Sequence, residues 1–255
     1  MLRTFLVARR GPKPPSEFEP IVWRVAELYR ARLIVADVRD AEELAATPRP
    51  GSQSEDSDST PKAPASNPDT ISIMLVGNFV PALCDKGHEA DVIVVWHGSL
   101  LGTDGQTSDE LLSGLVRQAP RPVWLFREPL RFPERILVAY DGSAHSGRAL
   151  HMAANLAETL GARLTVLNVD ESRDEVAQEQ ILSRAAGYCE PYRITMERVG
   201  VFGGAAESIQ AYAETSQCDL LVVGAAGVGY LRGLLFGSVA GQLIANAPCS
   251  VLVAK

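Results

Sequence analysis

The stretch GAAGVGYLRGLLFGS, Gly224 to Ser238, holds five glycines in fifteen residues and follows directly on the apolar run DLLVV. A loop that leaves the carboxyl end of a parallel strand and feeds a helix exposes backbone N–H groups and the positive end of the helix dipole. Glycines let such a backbone approach phosphate oxygens with no side chain between, and Ser238 adds a hydroxyl donor. The expected chemistry is anion capture, in the form of a phosphate cradle. The spacing is Gly224-x2-Gly227-x9-Gly237-Ser238, which matches neither the lysine-bearing phosphate loop nor GxGxxG. Arg232, inside the loop, is the cation placed to neutralise an outer phosphate. A carboxylate, Asp141, follows the first strand of the same half in AYDGSAHSGRAL. It reads either as a first-turn helix acid beside an N-cap at Ser143 or as a ligand contact. Its place at a strand end, over the same crevice as the glycine loop, favours contact.

Short apolar runs alternating with helical patterns must position these groups. In the second half the strands read at Arg135 to Tyr140, Arg163 to Val169, Arg193 to Val199, Asp219 to Gly224 and Ser250 to Lys255. Helices are expected near 144–160, 171–187, 204–216 and 237–246. Such alternation means crossover connections and a parallel sheet with helices on both faces. The first half repeats the plan: FLVARRG, a helix around EPIVWRVAELYRA, LIVADV, ISIMLVG, a helix, DVIVVW, the helix SDELLSGLVRQ and PVWLFRE. LVARRG (Leu6 to Gly11) superposes on LVAYDG (Leu137 to Gly142) at an offset of 131, and DVIVV on DLLVV at 128. The fold expected is thus α/β, two tandem doubly wound parallel five-stranded sheets, over residues 1–128 and 134–255. The segment 47–69, rich in Pro, Ser and Asp, stands where a helix of the first half should be and is expected to be a flexible loop. A short linker at about 128–134 carries Pro129 and Pro133.

Composition sets the boundaries of function. Hydrophobic residues at 46% and charged residues at 22% describe an ordinary globular protein. A formal charge of -7 argues against nucleic acid or an anionic membrane as the main partner and fits a cytoplasmic protein. No apolar run reaches the length of a membrane span. The four cysteines, Cys84, Cys189, Cys218 and Cys249, lack the spacing of a zinc site or a redox dithiol and read as isolated buried thiols. His145 and His151 lie six residues apart and do not share a helix face as a metal pair would.

The glycine spacing, with AYDGSAHSGRAL and the ending SVAGQLIANAPCSVLVAK, resembles the universal stress protein family in its ATP-binding branch. The resemblance covers Arg135 to Lys255; the first half resembles the family in pattern only, which makes the chain similar to a tandem form. It implies an adenine nucleotide alpha hydrolase-like, Rossmann-like fold. It also implies ATP, AMP or ADP as ligand, with Mg²⁺ carried on the phosphates. Residue by residue, Ala139 and Tyr140 are implied to line the adenine end and Asp141 to lie near ribose and phosphates. Val169 would touch adenine, and Gly224, Gly227, Gly237, Ser238 and Val239 would form the phosphate and ribose loop. In that family the last strands associate about a two-fold axis, so the halves are expected to pack as a pseudo-dimer within the chain, with a homodimer as a further step.

The first half serves as a comparison. The 128 offset sets Trp96 against Gly224, Ser99 against Gly227, Asp109 against Gly237 and Glu110 against Ser238. The 131 offset sets Arg10 against Asp141. An indole at the close-approach position is expected to fill the nucleotide volume, and carboxylates at a helix N-terminus to satisfy the donors that phosphate would use. One nucleotide site per chain follows, in the second half. No residue is placed as a dedicated base or nucleophile, so turnover is left open. The rival readings are a slow ATPase or nucleotidyl transferase and a nucleotide-free interaction scaffold.

Overall fold

The structure is a computed structural model that describes residues 2–39, 69–100, 108–225 and 239–255. Runs of Val, Leu and Ile, buried on both faces except in the edge strands, make parallel strands, and the first half builds five: β1 (Thr4–Arg9), β2 (Arg32–Arg39), β3 (Thr70–Val76), β4 (Val92–Trp96) and β5 (Val123–Phe126). The second half builds β6 (Arg135–Ala139), β7 (Arg163–Asp170), β8 (Thr195–Phe202), β9 (Leu220–Gly224) and β10 (Ser250–Ala254). Helices between them are α1 (Phe18–Tyr29), α2 (Phe79–Gly87), α3 (Ser108–Gln118), α4 (Ala144–Leu160), α5 (Glu175–Cys189), α6 (Ala205–Thr215) and α7 (Val239–Asn246). A 3₁₀ turn, His97–Leu100, follows β4.

All ten strands form one sheet in the order β3-β2-β1-β4-β5-β10-β9-β6-β7-β8. Within each half the strands are parallel and doubly wound, and the two halves meet where β5 pairs antiparallel with β10. The last strand of each half thus lies at the centre of the sheet, and the halves pack as the expected pseudo-dimer. Register there sets Val251 opposite Leu125, Leu252 opposite Trp124 and Val253 opposite Val123. Strand alternation sends these pairs to opposite faces, so both core layers cross the seam. Leu125, Val251 and Val253 join the layer under α2, α3, α6 and α7. Trp124, Phe126 and Leu252 join the layer under α1, α4 and α5. Polar ties cross as well: Tyr29 Oη donates to Asn155 Oδ1 at 2.9 Å, Arg127 Nη2 to the Ile244 carbonyl at 2.7 Å, and Lys255 Nζ to the Val116 carbonyl.

Two element boundaries differ from expectation. α5 begins at Glu175, not near 171, because the Asp170 carboxylate accepts from the Ser172 N–H at 3.0 Å and the Asp174 N–H at 2.7 Å. That turn holds the chain out of helical form until Asp174 caps the helix by accepting from the Ala177 N–H. β8 runs from Thr195 to Phe202 in register with Arg163 to Asp170, later than the expected Arg193 to Val199. As an edge strand with a half-exposed pattern it is placed by its partner more than by its own hydrophobicity. Apart from Asp69, the segment 47–69 lies outside the described residues.

Candidate functional site

In a sheet of this winding the crevice opens where consecutive crossovers diverge, at the carboxyl ends of β6 and β9. A cleft of about 620 Å³, its open mouth included, lies there. Its floor is apolar, from Ala139, Leu167, Val169 and Val223 on the strands and Ile209 and Leu243 on α6 and α7. Its polar groups come from the turn before α4, Asp141 and Ser143, and from the first turn of the helix, His145 and Ser146. An apolar slot with a few convergent polar groups at one end suits a flat heterocycle joined to a hydroxylated, anionic tail.

Asp141 is held in place before any ligand arrives. Its Oδ1 accepts from Ser146 Oγ at 2.6 Å and from the Ser143 N–H at 2.9 Å. Burial works to raise its pKa, but these donors together outweigh that and leave the carboxyl below its ordinary value. Ser143 caps α4 by accepting from the Ser146 N–H at 3.2 Å. The arrangement presents a fixed carboxylate at the cleft mouth, suited to accept from a ligand hydroxyl. Tyr140 borders the cleft, while its phenol belongs to the core layer under α4 and α5 and is pushed up in pKa by burial. Asn168 Nδ2 donates to the Tyr140 carbonyl at 2.8 Å and fixes that strand end.

Six of the residues singled out by sequence, Ala139, Tyr140, Asp141, Val169, Gly224 and Val239, border this one cleft. The other four, Gly227, Arg232, Gly237 and Ser238, lie outside the described residues. Sequence reasoning missed the α6 wall, Ala205 and Ile209, whose only signal is an apolar residue in the first turns of the helix after β8. Among the described residues no cluster of His, Cys, Asp and Glu could hold a metal ion. No described helix is long and apolar enough to cross a membrane.

The comparison of halves requires two corrections. First, Gly224 has a packing reason of its own. A Cβ there would lie 2.7 Å from both C and O of His145 and 3.0 Å from the Ser146 nitrogen, so β9 and the first turn of α4 touch backbone to backbone. The first half tolerates Trp96 at this position because α1 starts only at Phe18, five residues later than α4 in the shared alignment. Pro14 and Pro15 occupy the missing turn and disfavour helix before them. Secondly, the indole does not fill the volume that matches the cleft: Trp96 packs over Gly98 and against the α1 layer, on the other face of the sheet. On the matching face the bulk comes from Phe79, which begins α2 as Ala205 begins α6. Phe79 is 2% exposed, and the Arg10 guanidinium lies 5.4 Å from its ring centroid.

The model of the universal stress protein family matches residues 133–186 and 171–255. A universal stress protein of Thermus aquaticus is 35% identical over 133 residues, 47% of this chain and 97% of that protein. The chain belongs to the universal stress protein family. A second member, from Mycobacterium tuberculosis, is 30% identical over 202 residues, 69% of this chain and 65% of that protein. The fold extends over both halves: the crystal structure of a universal stress protein from Archaeoglobus fulgidus superposes with a TM-score of 0.72 at 19% identity, over 99% of this chain and 96% of that one. In this universal stress protein the sequence likeness is concentrated in the half that holds the cleft.

Proposed function

We propose that the β6–β9 cleft binds one adenine nucleotide per chain, ATP by preference, and that this universal stress protein acts as a cytoplasmic nucleotide-responsive regulator. The observation that carries the reading is the cleft itself, an apolar slot ending at a pre-fixed carboxylate at the topological switch point. Ala139, Val169 and Ile209 supply faces for a base, and Asp141 an acceptor for a ribose hydroxyl. The loop with Gly227, Gly237, Ser238 and Arg232 supplies donors and charge for phosphates. These residues suit a nucleotide whose phosphates carry Mg²⁺ with water completing its coordination. The matching place in the first half holds Phe79 and Arg10, which supports a single site. Nucleotide occupancy then favours whichever loop or assembly state binds it better, a homodimer of chains included.

Calorimetric titration of the full chain with MgATP tests this. One site per chain is expected, with Asp141→Ala weakening affinity about tenfold, the loss of one charge-assisted hydrogen bond. Two sites per chain, or unchanged affinity in Asp141→Ala, would count against the reading.

A further inference from the structure

Two of the four cysteines, whose sequence spacing suggested isolated thiols, are neighbours in the fold. Cys218 stands two residues before β9 and Cys249 one residue before β10, and these strands are parallel neighbours with Leu220 opposite Ser250. Adjacent parallel strands set the residues at their entrances side by side. The two sulfurs lie 3.2 Å apart. A disulfide bond is about 2.05 Å long, so closure asks for an approach of about 1.1 Å, within reach of small side-chain rotations. Both thiols also border a surface hollow of about 550 Å³ at the entrance to the strands, beside Arg131, Asp219 and Pro248. Cys84 and Cys189 have no thiol partner among the described residues.

We propose that Cys218 and Cys249 are a redox-active dithiol that closes to an intrachain disulfide under peroxide. One thiolate sulfur attacks a peroxide oxygen, the O–O bond breaks, and the products are a sulfenic acid and water. The second thiolate attacks the sulfenic sulfur, the S–O bond breaks, and a second water leaves. Two electrons pass from the two sulfurs to the peroxide, and both thiol protons end in water. The hydrogen bond to Cys249 and burial push the Cys218 thiol up, so Cys218 stays protonated near neutrality and its reaction with peroxide is slow. Closure ties the entrances of β9 and β10, and the chain between them holds β9, residues 225–238 and α7. The bond thereby closes the loop that bears the glycine stretch, whether or not that stretch binds a nucleotide.

The test is prolonged exposure of the full chain to hydrogen peroxide, followed by intact mass measurement, thiol titration in denaturant and non-reducing peptide mapping. The expected result is loss of two hydrogens, a fall from four titratable thiols to two, and a cross-linked peptide pair containing Cys218 and Cys249. Dithiothreitol should restore all four thiols, and the oxidised form should melt several degrees higher because the closed loop limits the unfolded chain. Cys218→Ser and Cys249→Ser should each abolish the mass loss, while Cys84→Ser leaves it intact. If either variant fails to fold, the peptide map of the unaltered chain decides. Four intact thiols after exposure, a bond to Cys84 or Cys189, a bond between chains, or oxygen added at Cys218 without a cross-link would each overturn the proposal.

Discussion

Gly224 carries two demands at once: it ends β9 at the cleft, and it lets the strand seat against the backbone of His145. Its packing role gives a test that needs no ligand. In Gly224→Ala the added carbon would stand 2.7 Å from helix backbone, which cannot rotate away as a flexible side chain would. Either α4 or β9 must shift, and overpacking of this kind costs about 1–3 kcal/mol. Urea denaturation should show a loss in that range, and the proposed nucleotide affinity should fall alongside, since a shift of α4 displaces Asp141 before it. Stability unchanged to within about 0.5 kcal/mol would mean that the strand and helix do not meet as described. Asp141 and Phe79 show the reach of sequence at this scale. The carboxylate was legible because it follows a strand in a recognisable run, whereas Phe79 was not, because its meaning depends on which residue opens the equivalent helix after Gly203-Gly204.

Helix starts, more than sheet strands, distinguish the two halves. α4 opens at Ala144 under a Ser143 cap, whereas Glu17, before α1, makes no side-chain cap hydrogen bond. Ser143→Ala should therefore cost about 1 kcal/mol, the usual value of a lost N-cap bond, and free the Ser146 N–H that the hydroxyl now satisfies. Glu17→Ala should change stability by less than about 0.5 kcal/mol. Equal losses in chemical denaturation would show that the caps do not differ as described. Strand and helix order, and most boundaries, were legible because runs of buried Val, Leu and Ile and their spacing are local properties. Legibility failed where another element decides. The Asp170 turn delays α5, register with β7 places β8, and the pairing of β9 with β10 brings Cys218 to Cys249. No spacing within a single segment encodes such neighbours.

At the scale of the molecule, the β5–β10 seam makes one cooperative body of two similar units. The pairing itself is short, three residue pairs, and a seam of backbone hydrogen bonds alone would leave the halves free to unfold separately. What prevents this is that both core layers run through it. Trp124 is 1% exposed and stacks on Phe126 with ring centroids 5.0 Å apart, while Leu252 opposite it is fully buried. Removing one half would expose these apolar surfaces to water, so its unfolding is coupled to that of the other. Scanning calorimetry should accordingly give a single transition, despite two repeats in the sequence. Trp124→Ala should lower it by about 3–5 kcal/mol as a whole, the cost of emptying a large aromatic site in a core. Two separated transitions in the unaltered chain, or a Trp124→Ala variant in which only one half loses stability, would show that the seam is a contact between independent domains and not a shared interior.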